Sequence, residues 1–554
     1  MKKENTTHPL GTRARILLSS VFGPYAQDDE YGSRKINPME LYHNQVTRVQ
    51  GPFSLRMFHR SFGLMLIQEN LDAPCTLLDF PTLDRFLEEI KNKTYDIIGI
   101  SSIIPNVGKV KKMCELVRKH AKNAKIVIGG HIANIPDLHK MIDADLIVKG
   151  EGISWFRKYL GQNEKEPVKH PAVISGFGNR TLGIRLPGKS TAATLIPSVG
   201  CPMGCNFCST SHLFGGKGKS VNFYETGDEL FNVIKDIERK LSVKRFFIMD
   251  ENFLLYKERA LRLLELMNEH NKSWSFYIFS SAKVLKSYTD EQLLGLGISW
   301  VWMGLEGKGS QYNKLRDIDT RSLVKHLQSL GIGVLGSSII GLEDHTPENI
   351  DNVIDWAVSH ETDFHQFMLY TPMPGTALYE HHKNNKTLLP EKECSLADTH
   401  GQYKFNFKHK FIKNKQEIEM LINAFRRDFE VNGPSIARLI RTLVNGWKKN
   451  KNYPDPRVRS RIHWEARRLK DVYPGAIWAM RFWYRKNECM RNKLSAILHE
   501  IYSEFDFKVK VITPLIGLWL YFKIVLEAKR LSNGWTYEPD THYDMNSKAL
   551  ELES

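Results

Sequence analysis

The sequence predicts an α/β protein with three domains. Short β-rich runs alternate with helical stretches twice along the chain, which indicates two parallel-sheet domains. A third stretch lacks that alternation, is helical, and carries most of the excess positive charge. The predicted parts are a doubly wound domain over residues 1–160, a linker over 161–190, a partial (β/α)6 barrel over 191–400 and a basic helical domain over 401–554.

The amino-terminal domain is predicted from five apolar runs, at residues 15–19, 75–80, 96–102, 125–130 and 145–150. Apolar strands that alternate with amphipathic helices indicate a sheet covered on both faces, where ligands bind beyond the carboxyl ends of the strands. Small or polar residues at those ends would let a large flat or phosphate-bearing ligand approach the backbone. These residues are Ser101, Ser102, Gly129, Gly130, His131 and Gly150. Such residues also form ordinary β–α turns, and both interpretations stay open.

The central domain shows six further βα units. Its predicted strands cover residues 193–197, 245–249, 275–280, 300–305, 334–340 and 364–370. Thr226 and Glu229 form a capping box ahead of an apolar stripe at helical spacing. Six successive units indicate an open barrel, with its chemistry at the carboxyl ends of the strands.

The carboxyl-terminal domain has 29 Lys and Arg against 17 Asp and Glu, a net +12 of the chain's +16. A localised basic domain indicates an anionic partner, either nucleic acid or a membrane surface, although a solvated basic helical face fits equally well. Its most apolar run, VITPLIGLWLYF at residues 511–522, is too short to span a bilayer as a helix, which needs about 20 residues. The run is predicted to be either an interfacial segment or a buried core helix.

The compartment is predicted from the amino terminus and the cysteines. No apolar stretch ending in a small-residue cleavage site is found near Met1, so no signal peptide is expected. Seven irregularly spaced cysteines do not suit a disulfide scaffold. We therefore expect a cytoplasmic protein.

One cysteine cluster carries recognisable chemistry. The run GCPMGCNFC places Cys201, Cys205 and Cys208 in Cys-x3-Cys-x2-Cys spacing directly after the first strand of the central domain. Three thiolates so spaced can bind three irons of a [4Fe–4S] cluster and leave the fourth without a protein ligand. His212 allows a Cys3His zinc site as the alternative. Because structural zinc usually stabilises small loop-rich modules, a loop that follows a strand in a large α/β domain favours the iron–sulfur cluster.

This loop resembles that of the radical S-adenosylmethionine (radical SAM) superfamily, and the similarity runs over about residues 190–380. In that family the open iron chelates S-adenosylmethionine, and one-electron reduction cleaves it to a 5′-deoxyadenosyl radical. The resemblance implies that Phe207 packs on the adenine. It also places Asp250 and Glu251 at the methionine amino group, although the common Gly-Gly-Glu is absent here.

Two later strand ends extend the resemblance. Glu306 ends the fourth strand and resembles the family's ribose or methionine contact. The run from Ser338 to Gly341 and Leu342 resembles the fifth-strand adenine motif, with Ser337 where a glycine is usual.

The amino-terminal domain indicates which subgroup of the radical SAM superfamily the chain resembles. A Rossmann-like domain with GGH and GEG turns, together with residues 372–376 after the sixth strand, resembles the cobalamin (B12)-binding-domain radical SAM proteins. The resemblance implies cobalamin over the edge that carries Ser101 and Gly130, facing the cluster. The Asp-x-His-x-x-Gly signature that supplies an axial histidine elsewhere is absent, and Asp137 with His139 matches it only in part.

Some members of this subgroup act on unactivated carbons of membrane lipids. The resemblance therefore implies an enzyme that abstracts hydrogen from such a carbon and leads to methylation or C–C bond formation. It would take electrons from a donor such as ferredoxin or flavodoxin and act at the inner face of the membrane. Two alternatives remain: radical SAM modification of RNA or a protein, and a non-catalytic cobalamin- or metal-binding regulator. Neither the second cysteine triad nor the terminal RNA-binding barrel of the methylthiolating enzymes is visible in the sequence.

Overall fold

The first sheet is parallel and doubly wound, as the sequence predicts. The computed structural model describes residues 7–23, 30–31, 40–55, 57, 59–176, 180–182, 184–185, 192–307, 315, 318–534 and 539–553, so part of the predicted linker lies outside the described residues. The strands are β1 (Ile16–Ser19), β2 (Cys75–Asp79), β3 (Ile97–Ser101), β4 (Lys125–Gly129) and β5 (Leu146–Ile147). Their order is β2-β1-β3-β4-β5, all parallel. Because β1 has β2 on one side and β3 on the other, the strand order reverses there and opens a crevice at the carboxyl ends.

Helices cover both faces of this sheet. They are α1 (Phe62–Glu69), α2 (Leu83–Asn92), α3 (Val107–His120) and α4 (Gly152–Tyr159). One face packs with α2 and α3 through Phe86 and Val110, and the other packs with α1 and α4 through Leu64 and Phe156. Because both faces of the sheet are buried, its strands consist of continuous runs of apolar residues.

The second sheet is the predicted partial barrel. Its strands are β6 (Ala193–Leu195), β7 (Arg245–Ile248), β8 (Ser275–Phe279), β9 (Ile298–Glu306), β10 (Gly333–Ile340) and β11 (Phe364–Leu369). They are parallel and follow one another in chain order, and β6 and β11 are its edges. The predicted fold class is thereby confirmed.

Eight helices accompany these strands in the described part of the chain. They are α5 (Ser209–Leu213), α6 (Gly227–Leu241), α7 (Lys257–Glu269), α8 (Ala282–Leu285), α9 (Asp290–Leu296), α10 (Thr320–Ser329), α11 (Ile350–Val358) and α12 (Ala377–Asn384). The predicted capping box at Thr226 and Glu229 begins α6. Phe246, Phe276 and Val301 pack beneath the helices. Since successive strand residues point to opposite faces, their neighbours Phe247 and Trp302 face the interior of the barrel.

In the described part of the chain, six helices lie between the barrel and residue 534. They are α13 (Gln416–Asn432), α14 (Ser435–Asn450), α15 (Pro456–Ala466), α16 (Val472–Trp483), α17 (Glu488–Glu504) and α18 (Phe507–Ser532). One core cluster joins them to Trp300, Leu335 and Phe364, which lie near the starts of β9, β10 and β11. These helices therefore close the amino end of the barrel, away from the cysteine loop. Tyr42 and Phe53, on short helical turns before α1, pack into the same cluster.

The apolar run predicted at residues 511–522 lies within a helix more than twice as long. The 26-residue α18 continues through Pro514, and by length and composition alone it is the one helix among the described residues that could cross a membrane. Only 28% of its most apolar window is buried. The buried-core interpretation therefore does not hold for most of this helix.

The carboxyl-terminal part is not helical to its end, contrary to the sequence prediction. Strand β12 (His542–Met545) returns to the first sheet and pairs antiparallel with β2, and α19 (Ser547–Glu553) follows it. Asn546 anchors the return, because its side-chain oxygen accepts from the Cys75 N–H at 3.0 Å and its amide donates to the Ala73 carbonyl at 3.0 Å.

Replacing Asn546 with alanine should destabilise this edge of the first sheet. The change leaves the Cys75 N–H and the Ala73 carbonyl without these partners, and unmade hydrogen bonds of this kind lower stability by about 1–3 kcal/mol. Thermal unfolding should show a lower first transition. Asn533→Ala, at the end of α18, is the control and should leave that transition unchanged, whereas equal effects would contradict the anchoring role.

Candidate active site at the sheet edges

The cysteine loop folds tightly at the carboxyl end of β6. Ser198–Val199 pairs antiparallel with Val221–Asn222, and the three cysteines lie in the loop between them. Gly200 and Gly204 have φ angles of 83° and 61°. A Cβ atom added at Gly204 would lie 2.5 Å from the Lys217 backbone, so only glycine fits there.

The three thiols are half-buried and influence one another. The pKa of Cys201 is raised to about 11, mainly by burial and in smaller part by the neighbouring Cys208 and Cys205. A thiol in this environment ionises only when a cation compensates it, as cluster iron would. In the described part of the chain, no three His, Cys, Asp or Glu side chains converge closely enough to hold a single metal ion. Each thiolate of a [4Fe–4S] cluster binds a different iron, and three thiols on one short loop suit that arrangement.

His212 is engaged elsewhere, which argues against the zinc alternative. Its Nδ1 lies 2.9 Å from the Cys208 carbonyl and its Nε2 accepts from the Ala377 N–H at 3.3 Å. Both ring nitrogens thus hold the short helix after the cluster loop in place.

The two carboxylates after β7 have different environments. Asp250 is buried and bonded to Arg259 at 2.9 Å, to the Ser198 hydroxyl at 2.6 Å and to the Asn252 N–H at 3.0 Å. These contacts give Asp250 a structural role that the sequence did not reveal. Its ion-pair partner Arg259 could not be identified from the sequence, because an arginine within an amphipathic helix is usually exposed to solvent.

Glu251 points toward the cysteine loop. The pKa of its carboxyl is raised to about 7. Burial is the main cause and the adjacent Asp250 adds to it, whereas hydrogen bonds from the Glu251 and Gly200 backbone act in the opposite direction. Its Oε2 is buried, and no residue in the described part of the chain hydrogen-bonds to it. An acceptor in this state suits a cationic ligand group.

The other predicted S-adenosylmethionine contacts lie on the neighbouring strand ends. Glu306 is buried with a φ of 57°, at a register shift between β9 and β10, which is local strain of the kind stored at functional sites. The Phe207 ring lies 6.4 Å from that of Tyr370. The Ser338 hydroxyl is 3.0 Å from His365 Nε2, and a Cβ atom added at Gly341 would strike Phe405 at 2.2 Å. Ser338 and Gly341 thus have packing roles, and their predicted cofactor contacts remain predictions.

The predicted cobalamin edge forms a pocket of about 150 Å³ at the crevice beside β1. Among the predicted residues, Ser101, Ser102, Gly130 and His131 line it, whereas Gly129 and Gly150 lie outside it. The sequence did not indicate its other small lining residues, which come from the end of β1 and the start of α1; they are Ser20, Ser61 and Gly63. A pocket of this size would hold one arm of a corrinoid, and its small side chains fit that use.

This edge meets the cysteine loop directly. His131 Nε2 lies 3.1 Å from the Thr210 hydroxyl, two residues after Cys208. A Cβ atom added at Gly150 would lie 3.8 Å from the Leu213 carbonyl, and one added at Gly375 would lie 2.8 Å from Asn134. The barrel and the first sheet therefore bring their carboxyl edges together, as the sequence predicts.

Aromatic rings cover part of the barrel interior. Phe279 and Trp302 are stacked with centroids 5.0 Å apart and are half-buried, and Phe247 lies 5.8 Å from Phe279. The Trp302 indole N–H donates to Ser337 at 2.8 Å, which fixes the ring. Sequence patterning placed these residues on strands but not on the interior face.

Comparisons with known proteins agree with this arrangement. A B12 binding domain family matches residues 55–160, and the Radical SAM superfamily matches residues 195–357. An uncharacterized methyltransferase of Pyrococcus horikoshii is 24% identical over 54% of this chain and 72% of its own. A bacteriochlorophyllide d C-12(1)-methyltransferase of Chlorobaculum tepidum is 24% identical over 67% of this chain and 82% of its own. The solved structure of TsrM, a radical S-adenosylmethionine methyltransferase from Kitasatospora setae, covers 82% of this chain and 99% of its own at 14% identity and a TM-score of 0.49.

Together, the two family matches define a radical SAM enzyme. The chain combines an amino-terminal B12-binding domain with a radical SAM domain, so the two domains predicted from the sequence are confirmed. Its cofactors are a [4Fe–4S] cluster, S-adenosylmethionine and cobalamin. These matches favour an enzyme over the alternative of a non-catalytic cobalamin- or metal-binding regulator.

Proposed function

We propose that this enzyme methylates an unactivated carbon of a membrane lipid. The observation that carries the proposal is the contact between His131 and Thr210, which holds the predicted cobalamin edge against the cysteine loop. A methyl carrier and a radical-generating centre that share one cleft suit carbon methylation. The bacteriochlorophyllide methyltransferase relative, named for a carbon position, supports methyl transfer as the outcome.

When bound, the cluster supplies the electron that cleaves S-adenosylmethionine, and cobalamin supplies the methyl group. In this proposal Cys201, Cys205 and Cys208 hold the cluster. Glu251 would receive the methionine ammonium group, because none of the described residues hydrogen-bonds to its buried Oε2. Glu306, buried at the end of β9, would orient the same molecule from the next strands of the barrel.

The aromatic interior supports an apolar substrate. Phe279 and Trp302 offer ring faces that can pack against hydrocarbon, and they exclude water from a carbon radical. Hydrogen abstraction from an unactivated C–H bond also requires a radical, since acid–base groups cannot remove such a hydrogen.

The test uses anaerobically purified, reconstituted full-length protein with dithionite, a total lipid extract in mixed micelles and S-adenosylmethionine labelled with a trideuteromethyl group. We expect 5′-deoxyadenosine release that rises with added lipid, and a lipid product that carries the label. Label found in RNA or protein, with no lipid stimulation, would overturn the lipid assignment. Release of 5′-deoxyadenosine without methylation of any fraction would overturn methyl transfer.

Glu251→Gln should weaken S-adenosylmethionine binding by about tenfold or more, since it removes a charge-assisted hydrogen bond worth about 1.5–3 kcal/mol. The effect should appear in the KM for S-adenosylmethionine with iron content unchanged. Glu258→Gln, on the exposed start of α7, is the matched control. An unchanged KM in Glu251→Gln would remove this residue from the site.

A further inference from the structure

An apolar stripe on α18 is exposed to solvent in the described structure. Its members recur every three or four residues, which places them on one side of the helix. They are Phe507, Val511, Leu515, Leu518, Phe522 and Leu526. Phe507 is 75% exposed and Leu515 is 70% exposed. Ile512 and Trp519 widen the stripe, and contiguous exposed apolar surface of this kind marks an interaction site.

The opposite side of α18 is sealed against the protein. Thr513, Leu520 and Ile524 are buried, and the latter two belong to the core cluster that reaches the barrel strands. A Cβ atom added at Gly517 would lie 2.4 Å from the Trp478 ring of α16, so the two helices pack closely. A helix fixed along one side in this way cannot cross a bilayer, but it can lie on one.

The exposed charged side chains of α18 itself are all positive. Lys508 and Lys510 lie in the first turn, and Lys529 and Arg530 lie in the last. Lys523, midway, holds its ammonium 5.7 Å from the Trp519 ring centroid. The helix has one acidic residue, Glu527, which is buried.

We infer that α18 is a docking surface for an anionic lipid bilayer, with its axis in the plane of the interface. The apolar stripe would enter the boundary between headgroups and acyl chains, while the lysines at both ends bind anionic headgroups. The charges disfavour a second copy of this chain as the occupant, because two such surfaces would bring like charges together. This inference concerns where the enzyme binds and rests on the proposed function only in that both involve lipid.

Vesicle flotation with the full-length protein tests the inference without turnover. We expect binding to vesicles of phosphatidylcholine with phosphatidylglycerol, weaker binding to phosphatidylcholine alone, and loss of the difference at high salt. The double variant Leu515→Glu/Phe522→Glu should bind about tenfold or more weakly, because two large apolar side chains no longer enter the interface. Lys508→Gln/Lys510→Gln should weaken binding to the anionic vesicles by about tenfold.

The matched control is Leu550→Glu/Leu552→Glu on α19, where both leucines are also more than half exposed. It should bind vesicles like the unaltered protein, and all variants should still release 5′-deoxyadenosine. Absence of binding to anionic vesicles, or equal loss in the control, would overturn the inference. So would a concentration-dependent dimer abolished by Leu515→Glu/Phe522→Glu, since a second copy would then cover the stripe. Failure of lipid methylation leaves these binding results unaffected, which keeps the two proposals separable.

Discussion

Replacing Cys205 with alanine should remove the iron–sulfur cluster and reduce S-adenosylmethionine cleavage to background. The cysteine loop offers three thiols, and the cluster needs all three because each binds a different iron. Iron and sulfide per chain, the visible spectrum and 5′-deoxyadenosine after dithionite reduction together measure the effect. The fold should persist, because Cys205 is half-buried on a loop and does not belong to the apolar core between the barrel strands and their helices.

Cys489→Ala is the control for this experiment. Cys489 is exposed on α17, so its loss should change neither iron content nor activity. A full cluster in Cys205→Ala would show that the ligands lie elsewhere. Stoichiometric zinc without sulfide in the unaltered protein would restore the Cys3His alternative.

Most strands of both sheets could be predicted, because parallel strands that are buried on both faces consist of continuous runs of apolar residues. The same reasoning missed β12, whose sequence His-Tyr-Asp-Met is polar and half-exposed at a sheet edge. Its pairing with β2 depends on Asn546 reaching Cys75 and Ala73, more than 470 residues away in sequence. No local pattern contains that contact.

The sequence pattern also could not show which side of α18 is exposed to solvent. The apolar run around Pro514 fits a core helix and an interfacial helix equally, since composition does not show which neighbours cover it. Only the three-dimensional structure shows that the helix is packed at Gly517 and exposed at Leu515; the interfacial role itself stays a proposal.

At the site, spacing was enough to predict that the three cysteines share one short loop, because they lie within eight residues of one another; their role as cluster ligands stays a prediction. The adjacent Asp250 and Glu251 could not be separated in this way. Two adjacent residues after a strand point in different directions, and the sequence does not show which of them faces the cysteine loop. Here Arg259, on the following helix, pairs with Asp250 and leaves Glu251 to face the loop.

Arg259→Leu should strongly destabilise the central domain. The Arg259 and Asp250 side chains are 2% and 3% exposed, and their atoms are 2.9 Å apart. Removing the cation leaves a buried carboxylate without its charge partner, a change that typically lowers stability by about 3–5 kcal/mol. Thermal and denaturant unfolding should both report the loss.

Arg262→Leu, one turn along the same helix, is the control. Arg262 pairs with Asp228 on the surface, where solvent screens the interaction, so little change in stability is expected. Similar unfolding of Arg259→Leu and Arg262→Leu would refute a buried ion pair at Asp250.

The double variant Asp250→Asn/Arg259→Leu separates stability from catalysis. It removes both buried charges, so much of the lost stability should return. The Asn252 N–H, which donates to Oδ1 of Asp250, would still find an amide oxygen there. The Ser198 hydroxyl, which donates to Oδ2, would instead accept from the amide N–H of the asparagine. If the ion pair acts only on stability, S-adenosylmethionine cleavage should recover with the fold. If it also positions Glu251, the KM for S-adenosylmethionine should stay raised in a protein whose unfolding is again close to that of the unaltered chain.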